Sequence, residues 1–340
     1  MEIVEKNKYM VCVSCMTYNH ANFIEDTMNG FCLQQTNFPF VCIIVDDAST
    51  DGEPAIIQKY LDDFFDLEDK SFVRNEETND YILTFARHRI NKNCYFAVIC
   101  LKYNHYSIRK SKWPYVSEWQ EYTRYITVCE GDDYWVHPQK LQKQVDFLES
   151  DKKYGCVYSN FYILDGGKKE KATISGKVSF HQLLFQCEIA NLTTCYRTSL
   201  YLDYQNQINP EEKEWLLGDL PMWLFFTMES QIAFLDSYTS VYRMLPESAS
   251  HSRDLNRQIA FRDSVFDVRM FFLYHYKTRL SDFNELKEKV IDNHTREVLS
   301  IFISNEQYKS AFVYYLKNFF KLSLKADIIY FAVIVKKLLC

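Results

Sequence analysis

Four short and nearly unbroken apolar runs constrain this chain more than anything else in it: residues 10–16 (MVCVSCM), 41–45 (VCIIV), 95–100 (YFAVIC) and 125–128 (YITV). Runs of this length without polar alternation suit strands buried on both faces. Between the first two, Asn22 and Glu25 are spaced as a capping box, and Ile24, Met28 and Phe31 recur at helical spacing. After the second run, Ile57, Tyr60, Leu61 and Phe64 predict another helix. A β-α-β-α order implies an α/β fold with a right-handed, mostly parallel sheet. Residues 66–93 read as an irregular or short helical insertion and 104–121 as a loop. Pro138 suits the first turn of a helix carrying Leu141, Val145 and Leu148. Residues 155–164 predict a strand closed by Asp165-Gly166-Gly167, and from about residue 254 the pattern is helical to the end.

With 340 residues, 47% of them hydrophobic, the chain can bury a core without help from disulfides. A net charge of −6 offers no overall basic field for a polyanion, so nucleic acid is not an expected partner. The 11 cysteines are scattered and several sit inside the apolar runs, which suits reduced thiols acting as small hydrophobes. Cys12 and Cys15 form C-x-x-C within a strand and lack a second pair at zinc-site spacing. The polar, acidic N-terminal stretch MEIVEKNKYM has no apolar core of a signal peptide, so a cytoplasmic location is expected.

The heptapeptide CEGDDYW, residues 129–135, follows the fourth run and places Asp132 and Asp133 where a strand ends and a helix is expected to begin. Ligands of open α/β sheets collect at the carboxyl ends of the strands. Adjacent carboxylates are costly to bury unpaired, and a hard cation with a diphosphate completes such a set through oxygen ligands. Asp46 and Asp47 end the second run, and Asp219 lies in LLGDLPMW at a helix start.

These segments are recognisable together. VSCMTYNHANFIEDTM, IIVDDASTDG, CEGDDYWVHPQKLQKQVDFLE and GDLPMW resemble the family-two glycosyltransferases, over most of residues 9–250. The resemblance implies the A-type glycosyltransferase fold: a catalytic domain over 1–253, with a nucleotide-sugar half at about 9–150 and an acceptor half at about 151–253. A C-terminal helical extension then covers 254–340. It also implies an inverting, metal-dependent transfer of a sugar from a nucleotide diphosphate, with UDP-sugars favoured, to a hydroxyl of a glycan or lipid-linked acceptor in surface polysaccharide synthesis. Carried over by position, Thr17, Tyr18 and Asn19 lie beside the nucleotide, Asp46 and Asp47 serve the donor with Asp47 on a uracil-type base, and Asp132 faces the ribose. Asp133, with Asp132, binds Mn²⁺ or Mg²⁺. Glu130 stands where many relatives carry an aspartate. Asp219 matches the general base, and Arg243 and His251, in VYRMLPESASHS, fall in the loop that closes such sites. Trp135, Thr194 and Trp223 are acceptor-side candidates, although aromatic residues after a turn or at i,i+3 spacing are equally at home in a core.

Two other readings stay open: a nucleotidyltransferase on a related sheet, which usually shows a glycine-rich basic loop where this chain has TYNHAN, and a non-catalytic nucleotide-sugar or glycan-binding protein. The C-terminal run is both basic and apolar. Its stretch 328–335 is too short to span a bilayer, so it either packs on the catalytic domain or lies peripherally on the inner membrane face.

Overall fold

The computed structural model describes residues 8–69, 73–245, 252 and 254–339. It divides into two compact units that interleave in sequence. The first comprises the described residues up to 177 with 188–208 and 229–244. The second comprises 178–187, 209–228 and the described residues from 245 onward.

The first unit is built on one sheet. Its strands are β1 (Val11–Thr17), β2 (Phe40–Asp46), β3 (Arg74–Glu77), β4 (Tyr81–Arg87), β5 (Cys94–Leu101), β6 (Tyr125–Val128), β7 (Tyr134–Trp135), β8 (Tyr154–Asp165), β9 (Lys168–Lys171), β10 (Cys195–Arg197) and β11 (Gln231–Arg243). They run in the order β3-β4-β5-β2-β1-β6-β10-β8-β11-β7, with β9 paired to β8. The central pairs β5-β2, β2-β1 and β1-β6 are parallel. Thr17 therefore lies opposite Asp46, while the N–H groups of Cys129 and Gly131 continue the β1 ladder by donating to Ser14 and Met16 carbonyls.

The helices are α1 (Ile24–Cys32), α2 (Glu53–Phe64), α3 (Trp113–Glu121), α4 (Lys140–Ser150), α5 (Phe180–Leu183), α6 (Thr198–Ile208), α7 (Asp219–Glu229), α8 (Leu255–His275), α9 (Phe283–Ser304), α10 (Tyr308–Asn318) and α11 (Leu324–Leu339). Alternate residues of a strand face opposite sides of a sheet. In β2, Cys42 and Ile44 join a core with Met28 and Phe31 of α1, Ile57 and Leu61 of α2, and Leu141 and Val145 of α4. Val41, Ile43 and Val45 face Leu83, Phe85, Val116 and Trp119 instead. Each such buried aliphatic side chain is worth roughly 1.5–3 kcal/mol, so the central strands are fixed from both sides. In the second unit, α8 packs along α9, and Leu299, Ala311, Tyr315 and Ile334 form a small core among α9, α10 and α11.

Several local expectations need correction. The Asn22–Glu25 capping box does not form: α1 has Phe23 at its N-cap with no side-chain cap, and the His20 carbonyl accepts the N–H groups of Phe23 and Ile24. The insertion expected as irregular contains the antiparallel hairpin β3-β4, which extends the sheet edge; Leu83 and Phe85 alternate inward in β4, and Thr78 shapes the turn by accepting from the N–H groups of Asp80 and Tyr81. The segment expected as a loop ends in α3, which Pro114 helps to start and which buries Val116 and Trp119. No helix begins directly after CEGDDYW. Tyr134 and Trp135 pair with β11 first, and α4 starts at Lys140, two residues beyond Pro138.

Candidate active site

The carboxyl ends of β1, β2 and β6 converge, and the loops beyond them are laced together. Thr17 Oγ1 donates to the buried Glu53 carboxylate, which also accepts the His20 N–H at 2.8 Å and the Ser49 hydroxyl at 2.9 Å. Asn19 adopts a left-handed φ of 57°, which asparagine tolerates. Its N–H donates to Ser49 Oγ and its side-chain oxygen accepts the Thr50 N–H, both at 2.8 Å. Tyr18 is exposed at the rim. Glu53 thus organises both loops, although its place after Asp51-Gly52 carries no signal of burial in the sequence.

Neither carboxylate at the end of β2 is open to solvent. Burial pushes the Asp46 carboxyl up to about 6, against hydrogen bonding from Ser49. For Asp47, burial acts upward but is outweighed by the Lys112 ammonium at 2.9 Å and the N–H groups of His105 at 2.6 Å and Tyr106 at 3.1 Å, which hold it below the usual carboxylate range. Asp47 is therefore occupied by the segment leading into α3.

The acidic turn divides its carboxylates. Asp133 is buried and Oδ1 accepts the Arg243 N–H at 2.8 Å. Burial, then the like charges of Asp132 and Glu130, hold its carboxyl well above the usual value. Asp132 is half-buried, with Oδ2 4.0 Å from His20 Nε2, and Glu130 Oε1 accepts from Asn191 Nδ2 at 3.4 Å. The Arg243 guanidinium donates to the Asp132 carbonyl at 2.6 Å and pairs with Asp26 of α1, while stacking 4.4 Å from the centre of the Tyr134 ring. It braces the turn. Gly131 is required by close approach: a Cβ there would lie 2.1 Å from Thr17 Oγ1.

Among the described residues, no group of three or more His, Cys, Asp or Glu side chains is gathered to hold a metal. A cation bound through one or two carboxylates, with water and substrate phosphates completing its shell, needs no such cage. Three carboxylates within four residues, whose mutual repulsion already raises one of them, fit that donor set.

The acceptor-side candidates are buried. Trp135 packs edge-on to Phe31, donates Nε1–H to the Leu192 carbonyl at 3.0 Å and lies under the Lys140 ammonium at 4.2 Å. Thr194 is inside as well; its carbonyl accepts from Thr127 and Lys140. Lys140 itself is fully buried, and that burial lowers its ammonium to about 8. Trp223 is buried in α7 and meets Phe226 edge-on. Both tryptophans thus pack edge-on to other rings, and Thr194 is held by hydrogen bonds. Asp219, in the second unit, opens α7; Oδ1 accepts the Leu220 N–H at 2.7 Å, and burial raises its carboxyl above the usual range. His251 lies outside the described residues.

Residues 12–95 match the model of the family described as "Glycosyl transferase family 2". Over 249 residues, 72% of this chain, the sequence is 26% identical to uncharacterized proteins of Mycobacterium tuberculosis and Mycobacterium bovis, spanning 61% of the length of these curated relatives. The fold is similar to that of Staphylococcus aureus TarS, with a TM-score of 0.55 and 17% identity over 88% of this chain and 45% of that one. It is also similar to a mannosyltransferase from Pyrobaculum calidifontis solved with GDP-Man and Mn²⁺, with a TM-score of 0.50 and 13% identity over 96% and 80%. The mixed sheet, parallel at its centre, with its C-terminal helices has the A-type glycosyltransferase fold, and residues 12–95 are the part of the chain that matches the family-two glycosyltransferases.

Proposed function

We propose that this chain is an inverting, metal-dependent glycosyltransferase, moving a hexose-type sugar from a nucleotide diphosphate to a hydroxyl of a glycan or lipid-linked acceptor in surface polysaccharide synthesis. The observation that carries the reading is the meeting of the β1, β2 and β6 ends around Asp132 and Glu130, with the Arg243 guanidinium committed to bracing. The family match over residues 12–95 and the likeness to an enzyme solved with GDP-Man and Mn²⁺ support it.

The cation, Mn²⁺ or Mg²⁺, supplies neutralisation of charge on the departing diphosphate when bound. Of the three carboxylates, we assign Asp132 with Glu130 to hold it and the ribose, in place of the Asp133–Asp132 pair that the family resemblance implies, because Asp133 is buried and its Oδ1 already accepts the Arg243 N–H. The 17–20 and 46–51 loops frame the nucleotide, and Asp47 turns to the base once Lys112 and its neighbours release it. Asp219 accepts the proton of the acceptor hydroxyl as that oxygen attacks the anomeric carbon; its raised carboxyl suits a base. A single displacement inverts the configuration. The enzyme works at the cytoplasmic face, peripheral to the inner membrane.

Incubation of the chain with Mn²⁺ or Mg²⁺ and a panel of UDP- and GDP-sugars tests this directly. Metal-dependent release of nucleoside diphosphate supports it; pyrophosphate exchange, or binding without turnover, contradicts it.

A further inference from the structure

The second unit carries a surface that glycosyl transfer does not require. A single 3-10 turn, Phe319–Lys321, joins α10 to α11. In α11, Leu324, Ile328, Phe331, Val335 and Leu338 follow at steps of four and three residues and so share one helix face. Leu324 is 76% exposed and Ile328 61%, whereas Ala326 and Ile334 are buried; Ile329 and Val333, farther round the helix, are exposed as well. Phe320, 70% exposed, and Phe319 stand at the connecting turn, and Val313 and Leu316 continue the exposed apolar surface along α10. Six exposed lysines, at 309, 317, 321, 325, 336 and 337, lie along the same two helices and their turn. Residues 308–339 hold one carboxylate, Asp327, whose Oδ1 accepts the Tyr315 hydroxyl at 2.6 Å. From the neighbouring α9, Asp292 is paired with Arg296.

We propose that α10, the 319–321 turn and α11 form an interfacial docking surface for an anionic lipid membrane. So many exposed apolar side chains on two helices and their turn call for a partner, and the lysines select its charge. A second copy of this chain would set the same lysines against themselves, whereas anionic headgroups complement them. No helix among the described residues is long and apolar enough to cross a membrane, so the helices lie in the interface plane, with the aromatic pair of the turn at headgroup depth. This inference is independent of the proposed transfer reaction, because hydrolysis or transfer in solution does not depend on it.

The full chain is sedimented with vesicles of phosphatidylcholine alone or with about one third phosphatidylglycerol, at low and high salt. Partition at least about tenfold stronger into the anionic vesicles, and its loss at high salt, is expected. The triple variant Lys317→Glu, Lys321→Glu, Lys325→Glu touches only exposed side chains and should lower binding about tenfold or more at unchanged Tm, with nucleoside diphosphate release in solution unaltered. Phe320→Ser with Leu324→Ser should do the same through lost apolar insertion. Equal partition into both vesicles, or full binding by the charge-reversed variant, overturns the proposal. So does a dimer that Ile328→Glu disperses in a chain that ignores vesicles.

Discussion

The main-chain N–H of Arg243 donates to Oδ1 of Asp133 across 2.8 Å, tying the last residue of β11 to the acidic turn that follows β6. The bond is buried, so its loss would leave a donor without water. Both Asp133→Ala and Asp133→Asn remove a charge that burial opposes, but only Asn keeps an acceptor oxygen, so the Ala variant should be less stable than the Asn variant by about 1–3 kcal/mol. Denaturant titration of both variants checks this, and an Ala variant as stable as the Asn variant would remove the anchoring role.

Asp132 should behave in the opposite way. It is half-buried at the rim, and its carboxylate faces His20 at 4.0 Å. Asp132→Asn should leave Tm nearly unchanged but weaken Mn²⁺-dependent nucleotide binding by at least about tenfold, the scale of one lost charge-assisted contact. Titration calorimetry with and without metal separates the two effects.

Gly131 immediately precedes Asp132 and lies against Thr17. A methyl group there meets Thr17 Oγ1 at 2.1 Å and Thr17 Cβ at 2.6 Å, so Gly131→Ala must push the β1 loop away from the turn. A stability loss of about 1–3 kcal/mol is expected, together with weaker donor binding. Thr17→Ser, which keeps the hydroxyl to Glu53, should be far milder.

Asp46 predicts a pH dependence with a definite sign. Its folded carboxyl titrates at about 6, above the ordinary 3.8, so folding favours the protonated form. That contribution is present below the unfolded value and is lost as pH rises through the folded one. Asp46→Asn should therefore be more stable than wild type by about 2–3 kcal/mol near pH 8, and the difference should vanish near pH 4. Chemical denaturation at the two pH values checks this.

Asp219 should separate binding from turnover. It opens α7 and its raised carboxyl is the proposed base. Asp219→Asn keeps the oxygen that accepts the Leu220 N–H, so nucleotide affinity and stability should hold. Turnover should fall by about 100-fold or more, and unaltered kcat would remove Asp219 from the reaction.

The central strands were legible because burial on both faces leaves a run such as VCIIV with no polar alternation. The turn Asp165-Gly166-Gly167 was equally plain, and both glycines take positive φ there. The β3-β4 hairpin was not, since an edge pair needs only Leu83 and Phe85 facing inward and leaves Arg74–Glu77 polar. Within the site, the acidic positions could be read from the sequence, but the division of labour between Asp132 and Asp133 could not. It depends on Arg243, 110 residues away, whose N–H selects one carboxylate for burial. Trp135 shows the same limit, because its burial follows from Phe31, Leu192 and Lys140 on three separate segments.

Binding of a nucleoside diphosphate, measured by calorimetry with Mn²⁺ present and then chelated, tests most directly whether the turn at residues 130–132 receives a donor. Metal-dependent binding that Glu130→Gln and Asp132→Asn each weaken by at least about tenfold, while Asp133→Asn retains most of it, is the expected result. Binding that ignores the metal, or that both rim variants retain in full, would contradict it.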